Sequence, residues 1–200
     1  METLNKEIQN TITPDNAVLR LKEGNKRYIE NRMLNRSYKE QVRLTSDAQA
    51  PYAVVLSCID SRVPNEIVFD QGVGDIFSTR VAGNIVNEDI LGSLEYSCKV
   101  AGSKLIVVMG HTKCEAVTSA CKGVELGNIT PLLEKIKPAV NVISGEMTTE
   151  NIEKVAIKNI ELSINQIRDK SPLLKEMEDN HEIKIIGASY SVESGVITFI

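Results

Sequence analysis

Two histidines are all that 200 residues contain, and there is no tryptophan. A site that needs neutral imidazole, as a metal ligand or as a proton carrier near pH 7, must therefore use His111 or His181. Nowhere do eighteen apolar residues follow one another, so no segment is long enough to span a bilayer as a helix. Lys and Arg number 23 against 27 Asp and Glu, a formal net charge of −4, and no basic block interleaves with aromatics; this argues against nucleic acid as a partner. Nor do the glycines make a dinucleotide fingerprint. Gly72 and Gly74 are followed by Phe77 where a third glycine would stand, and the next segment reads as a strand rather than a helix. Met1 to Glu7 hold no apolar run of the kind a secretion signal carries, so a soluble cytoplasmic protein is expected. In that setting the four cysteines are read as thiols and metal ligands rather than as two disulfides.

What is present falls into two short clusters. Cys58-Ile59-Asp60-Ser61-Arg62 follows the apolar run Tyr52 to Leu56, and His111-Thr112-Lys113-Cys114 follows the run Lys104 to Met109. Both runs read as buried strands of a parallel sheet. Ligands of open α/β sheets gather at the carboxyl ends of the strands, which brings Cys58, His111 and Cys114 to one edge. Two thiolates and one imidazole suit a tetrahedral zinc ion, at roughly 2.0 to 2.3 Å, with the fourth position left open as in catalytic sites. The competing reading is a closed site in which Asp60 is the fourth ligand and the ion only staples the fold, but structural sites favour paired short Cys spacings, which this chain lacks. Asp60 and Arg62 stand close enough for a bidentate ion pair that would keep the carboxylate ionised. Cys98 and Cys121 lie outside both clusters and read as ordinary packed residues.

The pairing of Cys-x-Asp-x-Arg with a later His-x-x-Cys resembles the signature of the β-class carbonic anhydrases. The likeness is strongest from about Gln49 to Gly127, weaker through the C-terminal strand pair, and before Ala48 rests on Leu21-Lys22-Glu23-Gly24-Asn25-Lys26-Arg27-Tyr28. It implies zinc-dependent, reversible hydration of carbon dioxide to bicarbonate and a proton, with hydroxide generated at zinc as the nucleophile. It also implies that Asp60 and Arg62 form an orienting and gating dyad, in which an Asp60 freed from Arg62 takes the fourth zinc position. By position, Gln49 matches a glutamine that reaches into the neighbouring subunit's pocket, and Phe77 and Tyr96 match pocket residues. A homodimer or dimer of dimers is thereby expected. Related readings are a catalytically weak zinc protein serving as a binding module, and a hydrolase of carbon disulfide or carbonyl sulfide. Two departures stand out. Val55 occupies the place of a tryptophan that bicarbonate-regulated members carry, so although Arg80 remains, a constitutively open site is expected. Glu115 stands where the family has a glycine whose amide bonds the ligand beside zinc; its carboxylate is read as a harmless helix N-terminal acid, an obstruction of the substrate pocket, or a proton relay.

The rest of the chain reads as an α/β fold with a central, mostly parallel sheet of four strands plus an antiparallel edge strand, flanked by helices and preceded by an N-terminal helical arm. A single domain over residues 1–200 is expected: arm and connector over 1–48, zinc-site core over 49–127, C-terminal helices and strand pair over 128–200. Thr13-Pro14-Asp15 opens a helix to about Asn31, with Ala17, Leu21 and Tyr28 as its apolar stripe. Residues 35–50 are polar and aperiodic and read as a connector. Strands are expected over Asp75 to Val81, Ile183 to Ala188 and Gly195 to Ile200, and a short helical turn from Pro64 to Val68. Longer helices are expected over Asp89 to Val100, from Cys114 to Gly123, over Ile129 to Ile143 with a kink at Pro138, and over Thr148 to Asp169. A shorter one precedes Asn180. The strand-helix-strand order from Asp75 to Gly110 implies a parallel pair.

Overall fold

The computed structural model describes residues 3–200. Residues 1 and 2, which belong to the expected arm, lie outside the described residues. Five strands form one sheet: β1 (Ala53–Ser57), β2 (Ile76–Arg80), β3 (Leu105–His111), β4 (Lys184–Tyr190) and β5 (Ile197–Phe199). Their order is β2-β1-β3-β4-β5, with β1 to β4 parallel and β5 antiparallel on β4. The expected fold class is the observed one. One detail differs: β2 and β3 are parallel but not neighbours, because β1 lies between them. The connection from β2 to β3 therefore crosses over β1.

Ten α-helices accompany the sheet among the described residues: α1 (Lys6–Thr11), α2 (Pro14–Ile29), α3 (Tyr38–Thr45), α4 (Asn65–Val68), α5 (Glu88–Glu95), α6 (Glu115–Cys121), α7 (Ile129–Leu133), α8 (Lys137–Val142), α9 (Thr149–Lys170) and α10 (Pro172–Asp179). None is long and apolar enough to cross a membrane. Thr13 caps α2 through the Asn16 N–H, and Pro14 sits in its first turn, where a missing N–H costs nothing. The helix stops short of Asn31, which turns the chain with φ 53°, a conformation asparagine tolerates. Helix α3 falls in the segment expected to be a connector. Ser37 caps it through the Glu40 N–H, and its one buried residue is Gln41, whose Oε1 accepts the Val73 N–H at 3.1 Å. Where one kinked helix was expected over 129–143, the chain makes α7 and α8, with Pro138 in the first turn of the second. Proline has no N–H to give the preceding turn, so the helix restarts there.

Both faces of the sheet are buried. Val55, Val107 and Met109 pack with Ala17 and Leu21 of α2 and with Phe69 on one side. Val54, Leu56, Ile106 and Val108 pack with Leu94, Cys98, Ile160 and Ile167 on the other. Each such aliphatic side chain contributes about 1.5–3 kcal/mol by leaving water. The apolar stripe of α2 thus finds its partner on the chain's own sheet. There Gly24 lets α2 approach α4 so closely that a Cβ would lie 1.8 Å from the Phe69 carbonyl oxygen. A third apolar cluster sits beyond the carboxyl ends of β1 and β3, where Val117, Leu133, Ile136, Ala139 and Val155 surround Cys58 and Cys114.

Candidate metal centre

Register delivers the site. Ser57 at the end of β1 lies opposite Met109 of β3, so Cys58 leaves the sheet beside the last residues of β3, of which His111 is the final one. Cys114 follows at the N-cap of α6. Their sulfur and nitrogen atoms all lie within 4.8 Å of one another, and all three residues are buried. The two Sγ atoms are 4.0 Å apart. Two sulfurs at 2.3 Å from a tetrahedral ion stand about 3.8 Å apart, so the pair fits that geometry without rearrangement.

Hydrogen bonds fix the chemical state of each donor. His111 Nδ1 lies 2.9 Å from the Thr112 carbonyl oxygen, which can only accept, so Nδ1 carries the proton. Nε2 is left with its lone pair, buried and without a hydrogen-bond partner. A buried polar atom with no partner carries a desolvation cost that a cation on its lone pair removes. Cys58 Sγ accepts the Gly83 N–H at 3.3 Å. The Cys58 thiol is held well below its usual range chiefly by the Cys114 S–H, with the N–H groups of Gly83 and Asp60 helping, while burial opposes. Cys114 is pushed the other way by the same partnership and by burial. The pair thus gives up one proton readily and keeps the second, until a cation offsets the added charge.

Asp60 is not one of the three clustered donors. Arg62 holds its carboxylate in a fork, Nε to Oδ1 at 2.9 Å and Nη2 to Oδ2 at 2.7 Å, and the Arg62 N–H adds a third bond at 2.9 Å. That guanidinium lowers the Asp60 pKa to about 2. Oδ2 remains 3.9 Å from His111 Nε2, beside the cluster but outside it. Arg62 also donates to the Lys113 carbonyl at 3.2 Å, tying the first motif to the second.

The remaining expected residues scatter. Phe77 and Tyr96 meet edge to face, 6.3 Å between centroids, and line a surface cavity of about 640 Å³ with Ser78, Thr79 and Asp89. None of the three clustered donors lines that cavity. Phe77 pairs with Val54, three residues before Ser57, which puts it roughly 10 Å down the strand from the site's edge. Gln49 is exposed on the stretch between α3 and β1. Glu115 is exposed at the first position of α6. Val55 is fully buried in the core. Gly83 escaped the sequence reading, and Arg80, noted there only beside the missing tryptophan, has a second part. Arg80 braces the first motif by donating to the Cys58 carbonyl (3.0 Å) and the Asp60 carbonyl (2.6 Å). Gly83, with φ 68°, turns its N–H onto Cys58, and a Cβ there would meet Ile136 at 2.6 Å. The run Ala82-Gly83-Asn84 between a strand and a helix was the available signal.

A family model described as carbonic anhydrase matches residues 53–197. The chain belongs to the β-carbonic anhydrase family. It is 32% identical over 181 residues to carbonic anhydrase 2 of Mycobacterium tuberculosis, covering 88% of this chain and 87% of that protein. Among solved structures it resembles the β-carbonic anhydrase CafA of Aspergillus fumigatus, with a TM-score of 0.74, 22% identity and coverage of 93% and 89%. A tetrameric β-carbonic anhydrase of Sordaria macrospora aligns with a TM-score of 0.70, 22% identity and coverage of 81% and 90%. These structural likenesses share the fold; membership rests on the family match and the sequence identity.

Proposed function

We propose that the protein hydrates carbon dioxide reversibly to bicarbonate and a proton, with zinc held by Cys58, His111 and Cys114. The observation that carries this is the convergence of those three donor atoms, with an ionised carboxylate clamped just outside them. Two thiolates and a neutral imidazole favour zinc over harder cations, and three protein ligands leave one position open. Bound there, zinc supplies the Lewis acidity that makes water a nucleophile near pH 7.

The chain's own groups do the rest. His111 offers Nε2 because Thr112 holds the proton on Nδ1, and Arg62 keeps Asp60 charged and aimed at the site. An ionised Asp60 accepts a hydrogen bond from the water to be activated, which orients that water's lone pair toward carbon dioxide. The fork to Arg62 also holds Asp60 outside the three donors; released from it, Asp60, whose Oδ2 lies 3.9 Å from His111 Nε2, would be the side chain placed to serve as a fourth ligand and close the site. With Val55 in place of the tryptophan of regulated relatives, we read the resting site as open.

Gln49 and Tyr96 are exposed and Phe77 is half-buried beneath Tyr96, away from their own chain's cluster, which supports a reading in which they complete the pocket of a second copy. We therefore infer a homodimer or a dimer of dimers, in line with the tetrameric relative. Glu115, exposed at the start of a helix, acts as a favourable acid at its positive end. Thiolate ligands need a reducing compartment, which supports a cytoplasmic location. We read the whole chain as one catalytic domain. Stopped-flow hydration with a pH indicator tests the proposal: the zinc-loaded protein should accelerate proton release, and Cys58→Ala should abolish both zinc content and acceleration.

A further inference from the structure

The turn that carries Cys114 is held in an unfavourable shape. Lys113 has φ 55°, a region that costs most non-glycine residues roughly 1 kcal/mol and persists where neighbours impose it. Three side chains grip this residue. Arg62 donates to its carbonyl at 3.2 Å, Glu193 pairs with its ammonium at 2.7 Å, and Glu153 Oε1 accepts its N–H at 2.8 Å. The Glu193 pair is exposed at both ends and belongs to the weak class of surface ion pairs. Arg62 is already committed to Asp60. Glu153 differs in two ways. It reaches the main chain directly before a clustered thiol, and it stands on α9, whose Val155 and Ala156 pack in the same apolar cluster as Cys58 and Cys114. A rigid helix anchored beside the site is the right place from which to fix a ligand's geometry.

We infer that Glu153 is a positioning residue for the metal centre. By accepting the Lys113 N–H it holds the left-handed turn in place, and so keeps the Cys114 sulfur where Cys58 and His111 can share an ion with it. What matters is an acceptor oxygen at the right reach; the negative charge is incidental. Glu153 touches neither the metal nor the substrate. The inference rests on the metal-site reading above.

The test separates reach from charge. Zinc-loaded parent, Glu153→Gln, Glu153→Asp, Glu153→Ala and Glu193→Gln proteins are mixed with excess chromophoric chelator, and zinc transfer is followed in time. Outer partners of metal ligands typically change metal affinity 10- to 100-fold, so Glu153→Ala and Glu153→Asp should release zinc about tenfold faster or more, with Glu153→Gln and Glu193→Gln within about twofold of the parent. Cobalt-substituted samples give a second readout: the thiolate-to-metal absorption bands should shift in Glu153→Asp and Glu153→Ala and not in Glu153→Gln. Release from Glu153→Asp and Glu153→Ala at the parent's rate overturns the inference, as does equal acceleration in Glu153→Gln and Glu153→Asp. A parent that holds no zinc overturns the metal-site reading instead.

Discussion

Cys98 and Cys58 are both buried thiols in the same chain, and their surroundings drive them in opposite directions. Cys98 packs beside Leu94 and Ile106, and burial pushes its pKa from the ordinary 9.0 to about 12. Cys58 is held low by the Cys114 S–H and the N–H of Gly83. The sign for Cys98 is definite. Between pH 9 and about 12 the unfolded chain loses this proton while the folded chain keeps it, so stability falls as pH rises through that window and is unaffected below it. Urea denaturation from pH 8 to 11 should show a steeper loss in the parent than in Cys98→Ala; parallel losses would contradict this. The spacing of the two motifs picked out the three donors that cluster and the Asp60–Arg62 pair, because each placement depends on residue type at a strand end. The bracing role of Arg80 and the part of Gly83 were not legible, since both are main-chain hydrogen bonds made across the fold. For Glu115, exposure and position at the start of α6 favour the helix-acid reading: Glu115→Gly should leave kcat/KM for hydration within about twofold and cost stability only about 0.3–1 kcal/mol. A several-fold gain in hydration would restore the obstruction reading, and a loss confined to dilute buffer the relay.

Elements with a long apolar period were legible, and α3, which lacks one, was not. Helix α9 keeps Val155, Ile160, Ile164 and Ile167 buried at near-helical spacing, and the expected start at Thr148 is its N-cap. Helix α3 buries only Gln41, so no apolar stripe announced it, although Ser37 and Glu40 carried a capping signal. The docking of α2 depends on a residue without a side chain. Because a Cβ at Gly24 would collide with the Phe69 carbonyl, Gly24→Ala should destabilise the protein by about 1–3 kcal/mol despite alanine's better helix propensity. Chemical denaturation checks this; an equal or higher midpoint would mean that α2 and α4 separate at little cost.

At the scale of the whole molecule, parallel pairing of β1 and β3 makes the site, and buried β-branched runs made that pairing legible. The β2-β1-β3 order was not, because crossing over a strand leaves no local signature. The same topology puts His181 far from the site. It precedes Lys184 at the amino end of β4, whose last residue Tyr190 pairs with His111; seven strand residues separate the levels by roughly 20 Å. With no second imidazole nearby, turnover should rise with imidazole buffer until saturation, and a rate independent of buffer would point to an internal relay. Sedimentation at micromolar concentration should give a dimer or tetramer, whereas an active monomer would remove the shared pocket. The most direct measurement is carbon dioxide hydration by stopped flow on protein carrying one zinc per chain, with Cys58→Ala beside it. Proton release should run well above the buffer rate in the parent, with neither zinc nor acceleration in the variant. A folded, zinc-loaded parent no faster than buffer, or a Cys58→Ala protein that keeps both metal and turnover, would contradict the proposed function.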